Sequence, residues 1–393
     1  MKYLLNPENK TLTDAQTLQP YRLNDAAVAV LTQVTSGTAD LTNTTTAELL
    51  TQLADLGIEP SSVIVRDPSK LHLHTPIVHI IQNCNSPCVM CDCWKTRGRV
   101  LHHAEDLAPL FAKFKRAGAR AVMLSGGEPT MHPELEEIIR GAKSSGLMVE
   151  LNTNGISLDK REYLPGLDLD AVVVSLDGFS RSSYRDVRGI DRFERVTKNL
   201  KDFKRQSPRT TLGLRVTLTK YSLDNLHELM RLVRECGIDN VGFSPLDVSS
   251  TSFFRDMTQE RQRNLSDSLL PTLDDIARIS SDLRDPHSNI YRAIEDGVSS
   301  GVFIWGLADF TKCIRHYEQV ITRDRDGSTE PCAFPDFSLL VDYDGSVRPC
   351  FYGPRIVDFR EFEPESWNLQ EIRDDLIDSG SCVGCRGKVF CGQ

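Results

Sequence analysis

Between residues 76 and 245 the chain alternates short apolar runs with amphipathic stretches, and no other feature restricts its fold as much. The runs are Ile77–Ile81, Ala121–Leu124, Met148–Leu151, Ala171–Val174, Leu212–Val216 and Val241–Phe243. Helical periodicity fills the gaps, for example over 133–142 and 223–236. Six such units in succession predict an α/β fold, a parallel sheet with helical crossovers. The sheet is either a curved, incomplete barrel or an open doubly wound one, and periodicity does not choose between them. In both, ligands collect at the C-terminal ends of the strands.

Composition narrows the function classes. The chain has 393 residues, 40% hydrophobic and 26% charged, which suggests two or three domains and excludes disorder for most of its length. Its net charge of −9 argues against a nucleic-acid groove built on phosphate contacts. No stretch approaches the ~18–20 apolar residues of a membrane span. The start, Met1 to Glu8, turns polar too early for a secretion signal, so a soluble, cytoplasmic protein is expected, without nucleic-acid or membrane partners.

Eleven cysteines are present, an odd number with no sign of export, which makes a disulfide framework the poorer explanation. Four fall within Cys84 to Cys93 and five within Cys332 to Cys391, and thiols clustered in this way commonly hold metal. Cys84, Cys88 and Cys91 are spaced x3 then x2, directly after the first predicted strand. Three thiolates on one tight loop can converge on one metal site. A closed zinc site needs a fourth ligand, which Cys93 or a histidine could supply. A [4Fe–4S] cube held by three cysteines would instead leave one iron open.

The segment resembles the signature loop of the radical S-adenosylmethionine (SAM) superfamily, CxxxCxxC after the first strand of a partial (β/α)6 barrel. The resemblance continues through Ser125-Gly126-Gly127-Glu128-Pro129 after the second strand, Asn152-Thr153-Asn154-Gly155 after the third and Ser175-Leu176-Asp177-Gly178 after the fourth. It covers about residues 76–245. It implies that Cys84, Cys88 and Cys91 ligate a [4Fe–4S] cluster whose open iron chelates the methionine part of SAM. Gly126 and Gly127 would admit a close backbone approach. Glu128 would receive the methionine ammonium. Ser175 and Asn154 would touch ribose or carboxylate, and Arg188 or Arg215 would pair with the carboxylate. Met90 would pack near the adenine or simply fill the loop. The implied chemistry is one-electron cleavage of SAM to a 5′-deoxyadenosyl radical that abstracts hydrogen, fed by a donor of the flavodoxin or ferredoxin kind. No general acid or base stands out: His79, His132 and Asp177 lie near the expected mouth, where such residues are more often structural. Trp94 and Trp305 could shape a pocket, with core packing the simpler role.

Two flanking modules complete the reading. In the tail, Leu339 to Val347 reads as a β-hairpin with an Asp344-Gly345 turn that would bring Cys332 and Cys350 together; Cys382-x2-Cys385 supplies a second pair. Four thiols make a complete site, which spacing alone leaves open between zinc and an iron–sulfur cluster. By resemblance it is one auxiliary [4Fe–4S] cluster, of the kind the same superfamily carries in its SPASM and twitch domains. Cys385-x5-Cys391 begins the longer SPASM pattern, but the sequence stops at Gln393, which fits the shorter twitch form. Cys391 is then a spare thiol or an alternative ligand, Cys313 a weaker candidate, and Cys93 and Cys236 small hydrophobes. Residues 1–66 combine short strands with two helices in a winged-helix-like order, residues 67–250 hold the barrel, and 251–393 a helical linker with the cysteine-rich tail. The first module resembles the peptide-recognition domains of radical maturases, or else is a packing extension. The readings carried forward are oxidative cross-linking of a ribosomally made peptide in natural-product biosynthesis, a dehydrogenase or decarboxylase of antibiotic or sugar metabolism, and a zinc-binding regulatory protein.

Overall fold

The structure, a computed structural model, describes residues 3–7, 10–14, 20–65, 73–95, 102–248, 255, 257–322, 338–351, 353–368 and 371–372. The first unit contains β1 (Tyr3–Asn6), β2 (Thr11–Asp14), β3 (Pro20–Arg22), α1 (Asp25–Thr35), α2 (Thr44–Asp55) and β4 (Val63–Val65). The strands form one sheet in the order β3-β2-β1-β4, with β1 parallel to β4 and antiparallel to β2. Each helix begins on an asparagine whose side chain accepts from an orphan N–H, Asn24 for α1 and Asn43 for α2. Tyr3, Leu5, Leu12, Leu31, Leu53, Ile58 and Val63 close a core of their own.

The second sheet begins with β5 (Ile77–Ile81), β6 (Ala121–Gly126), β7 (Met148–Thr153), β8 (Ala171–Ser175), β9 (Thr211–Leu218) and β10 (Asn240–Pro245). The intervening helices are α3 (Ala104–Arg116), α4 (Leu135–Ser144), α5 (Arg181–Arg188), α6 (Phe193–Gln206), α7 (Lys220–Leu223) and α8 (Leu226–Cys236). The β7–β8 connection carries only 3-10 turns at Leu158–Lys160 and Leu164–Leu167, so one predicted crossover helix is missing. All six strands pair in parallel with their sequence neighbours. A doubly wound sheet must reverse its strand order at some point, and this one never does. Crossovers of one hand then keep every helix on one face, which is the partial-barrel alternative. Burial alternates accordingly: Val149, Leu151, Val172 and Val174 pack fully against the helices, while Glu150, Asn152, Val173 and Ser175 face the lumen.

The tail joins the same sheet. After α9 (Gln259–Leu269), α10 (Leu273–Asp282), α11 (Asn289–Ser299) and α12 (Leu307–Thr322) come β11 (Leu340–Val341), β12 (Ser346–Arg348) and β13 (Val357–Asp358). The hairpin expected at Asp344-Gly345 is present, with Gly345 at φ 82°. β11 pairs in parallel with β5, giving nine strands in the order β10-β9-β8-β7-β6-β5-β11-β12-β13. One continuous core runs from Leu73 to Ile372. The Tyr317 hydroxyl on α12 is buried, donates to Leu218 O at 2.6 Å and accepts from Leu246 N at 2.7 Å, fastening α12 beneath the ends of β9 and β10. Cys313, one turn earlier, is fully buried in that core, with its thiol pushed up to about 12 by burial. Trp305 is likewise core, in an aromatic group with Phe243 and Phe310. Among the described residues no helix is long and apolar enough to cross a membrane.

Candidate active site

The loop after β5 carries Cys84, Cys88 and Cys91, and the structure fixes it from two sides. On one side it caps α5: Val89 N donates to Val187 O at 3.0 Å, and the Ser86 hydroxyl approaches Arg188 O at 3.4 Å. These bonds satisfy carbonyls that a helix end otherwise leaves open. Gly189, at φ 68°, then turns the chain away; a Cβ there would lie 2.1 Å from Pro87 O. On the other side Arg261 of α9 donates to Val89 O at 2.8 Å and to Asp92 at 3.1 Å. Trp94, though 39% exposed, donates from Nε1 to Cys91 O at 2.8 Å, so its position belongs to the loop.

The three thiols differ in electrostatics. Burial, with the Glu128 charge behind it, pushes Cys84 up to about 12. Burial also raises Cys88, against the pull of Arg188. Cys91 falls to about 7, chiefly through a hydrogen bond from Cys93. Cys93 is itself buried. A metal bound there would have to displace protons from Cys84 and Cys88, as thiolate ligation requires.

The end of β6 leans on this loop. A Cβ on Gly126 would lie 2.3 Å from Ile81 O, and one on Gly127 2.2 Å from Asn83 O. The two glycines thus let the β5 and β6 ends close on each other. Glu128 is fully buried. Its Oε1 accepts from Thr130 N, the Thr130 hydroxyl and the Thr153 hydroxyl, and its Oε2 accepts from Asn154 N at 2.7 Å. Burial raises its carboxyl, although those donors oppose the shift. Through these donors Glu128 joins the β6 and β7 ends. Asn154 turns its amide to Asn85 Oδ1 at 2.7 Å and to Cys84 Sγ at 3.8 Å, so it contacts the first ligand position.

Arg188 and Arg215, left as alternatives by the sequence, occupy different places. Arg188 is 6% exposed at the end of α5; its Nη2 lies 2.8 Å from Asp177 Oδ2 and its Nη1 3.6 Å from Cys88 Sγ. Burial would lower its pKa, but Asp177 and Cys88 hold it above the ordinary value. Arg215 lies on β9, level with Ser175, in the lumen; burial raises the Glu150 carboxyl there, and the Arg215 charge offsets part of that rise. Met90 is half-buried and packs against the main core.

The three acid–base candidates all have structural partners. Asp177 pairs with Arg188 and accepts from Thr217 N at 2.7 Å. His79 Nδ1 lies 3.0 Å from Asp342 Oδ1. His132 is fully buried, accepting at Nδ1 from Glu134 N and donating from Nε2 to His102 O. The Asp177–Arg188–Cys88 contact and the Glu150–Arg215 lumen charges were not paired by sequence reasoning. Alternation along β7 and β9 could have shown the latter; the former depends on the fold.

An iron–sulfur group fits this arrangement. The donor set is three sulfurs on one loop, a cation stands beside one of them, and the adjoining strand ends meet through glycines. Among the described residues no three metal-binding side chains close on a single ion. Ligands of a four-iron cube stand farther apart than those of one ion. Cys350 is half-buried after β12; Cys332, Cys382, Cys385 and Cys391 lie outside the described residues.

Comparison with known proteins agrees with this geometry. Residues 78–261 match the family model described as Radical SAM superfamily. Two curated relatives are named probable GTP 3′,8-cyclase. The one from Metallosphaera sedula is 27% identical over 205 residues, 49% of this chain and 62% of its own length. The one from Saccharolobus islandicus is 34% identical over 132 residues, 33% and 42%. The chain thus spans about half the length of the curated relatives it matches. Among solved structures, Streptococcus suis SuiB has a TM-score of 0.59 at 15% identity, covering 99% of this chain and 93% of that one. The peptide-bound anSMEcpe structure has a TM-score of 0.53 at 16% identity, covering 76% and 82%. The cysteine loop and the one-way barrel fall within the matched span, so residues 78–261 are a radical SAM domain.

Proposed function

We propose that this chain is a radical SAM enzyme that oxidatively modifies a ribosomally made peptide. Cys84, Cys88 and Cys91 would hold the [4Fe–4S] cluster; when bound with SAM, that group supplies reductive cleavage of the sulfonium and a hydrogen-abstracting radical. The chain's own residues position it: Arg261 and α5 fix the loop, Glu128 ties the strand ends together, and Asn154 orients against Cys84. Arg215, Ser175 and Glu150 face the lumen, where a substrate would be oriented and water excluded.

The observation that carries the peptide reading is the first unit. It has its own core and an exposed edge at β3, with Tyr21 37% exposed, where an extended peptide could add as a strand. The likeness to SuiB, which has been solved bound to its precursor peptide SuiA, extends over this unit as well as the barrel. The zinc-binding regulatory reading yields to the family match. A second reading, cyclisation of a purine nucleotide, is favoured by the 27–34% identity to relatives named probable GTP 3′,8-cyclase. An auxiliary cluster on Cys350 and the tail cysteines remains part of the proposal, as do a flavodoxin- or ferredoxin-type donor and a cytoplasmic location.

The deciding experiment incubates the anaerobically reconstituted full chain with SAM, a reductant and either GTP or the short peptides translated from open reading frames flanking its gene. A mass change in a peptide supports the first reading; consumption of GTP with the peptides unchanged overturns it. In the same assay Cys84→Ala should abolish 5′-deoxyadenosine formation, and undiminished formation would remove the cluster assignment.

A further inference from the structure

Arg188 is the residue of the site whose placement the expected carboxylate contact does not explain. It is buried, its Nη2 stands 2.8 Å from Asp177 Oδ2, and its Nη1 points at Cys88 Sγ at 3.6 Å, within hydrogen-bonding range for sulfur. Asp177 is itself fixed, 1% exposed and held through Oδ1 by Thr217 N on β9. The loop bearing Cys88 is bonded to the same helix end that bears Arg188, through Val89 N to Val187 O. Arginine and sulfur are therefore held together from both directions. The contact to Asp177 Oδ2 is close but out of line, and the guanidinium Nε has no partner, so neither group is placed for an ideal ion pair with the other. The orientation favours the sulfur.

We propose that Arg188 is a positioning residue that donates to Cys88 Sγ and makes the cluster held by Cys84, Cys88 and Cys91 easier to reduce. The inference rests on the cluster reading above and deepens it. Hydrogen bonds to ligating sulfurs, together with net charge and burial, set iron–sulfur potentials. A donor N–H and a positive charge at the sulfur stabilise the form that has gained an electron. The step concerned is the uptake of one electron by the cluster from an external one-electron donor. Asp177 holds the guanidinium in place and keeps the buried pair neutral overall, since either charge alone would be costly there.

The test is a redox titration of the reconstituted full chain without SAM, with dithionite as the reductant, the cluster followed by its visible absorbance and by electron paramagnetic resonance. The double variant Asp177→Asn/Arg188→Gln removes both charges together, so the net charge near the cluster is unchanged and any shift belongs to the lost donor. It should bind iron as the parent does and shift the one-electron equilibrium about tenfold toward the oxidised form, about 59 mV lower. Arg188→Lys, which keeps a cationic donor, should recover part of the shift. Arg185→Gln, exposed on the same helix, should not move it. An unchanged potential in the double variant at full iron content overturns the inference and leaves the cluster reading standing. A parent chain that binds no iron overturns both. If the double variant loses iron, Arg188→Lys decides: a lowered potential supports the proposal, and the parental value overturns it.

Discussion

Glu128 is fully buried, and the protein supplies four donors to its carboxylate. Oε1 accepts three donors and Oε2 one. An amide cannot replace the carboxylate. Whichever way a glutamine side chain were turned at this position, its NH2 would face either the Thr130 and Thr153 donors or Asn154 N, leaving buried N–H groups opposed. An unsatisfied buried polar group costs about 1–3 kcal/mol. Glu128→Gln is therefore expected to lower stability by that amount, read as a drop in urea midpoint with an unchanged slope. A variant as stable as the parent would mean that the carboxylate does not join the two strand ends. The same position explains why the motif was readable in the sequence and its task was not. Gly126, Gly127 and Glu128 announce themselves by order, but their partners Ile81, Asn83, Thr153 and Asn154 come from other strands.

At the scale of elements, the hairpin of β11 and β12 is held to the barrel by little backbone and by well-placed side chains. β11 has two residues, paired with Ile77 and Val78. Asp342 meets His79 at 3.0 Å, and its carbonyl accepts from His102 Nε2 at 3.0 Å. Burial would raise the Asp342 carboxyl, but the His79 bond, the His79 charge and Tyr343 N hold it below its ordinary value. A depressed carboxylate contributes stability above its unfolded pKa and loses it as pH falls through the folded one, so the Asp342 contribution is lost in acid. Asp342→Asn should accelerate hydrogen exchange at Ile77 N, which donates to Leu339 O, without altering exchange in α6. Equal rates at Ile77 in variant and parent would show that the side chains do not hold the hairpin. The Asp344-Gly345 turn was legible because turn chemistry is local. The parallel partner of β11 was not, since the pairing of Leu340 with Ile77 joins distant parts of the chain and leaves no periodic trace. The six barrel strands were legible for the opposite reason: each is an apolar run buried on its outer face.

The molecule as a whole has two cores of unequal size, and their titratable contents differ. Among the described residues, the first unit closes on seven buried apolar side chains. The second runs continuously from Leu73 to Ile372. Small cores are marginal, so the first unit should unfold at lower temperature, as a separate and smaller calorimetric step. The main core also buries two imidazoles in their neutral form. Burial lowers His102 and His132 below the ordinary 6.5, against the pull of their backbone acceptors. The unfolded chain then binds more protons than the folded one as pH falls through that value, and folding stability declines with it. Residues 1–66 contain no histidine. Taking the full chain from pH 7.5 to 5.5 should therefore lower the midpoint of the larger transition and leave the smaller one nearly in place. His132→Gln, whose amide can still donate toward His102 O, should reduce that sensitivity of the larger step. One cooperative transition at all pH values would mean that the two cores unfold together, and a fall confined to the smaller step would remove the buried histidines as its cause.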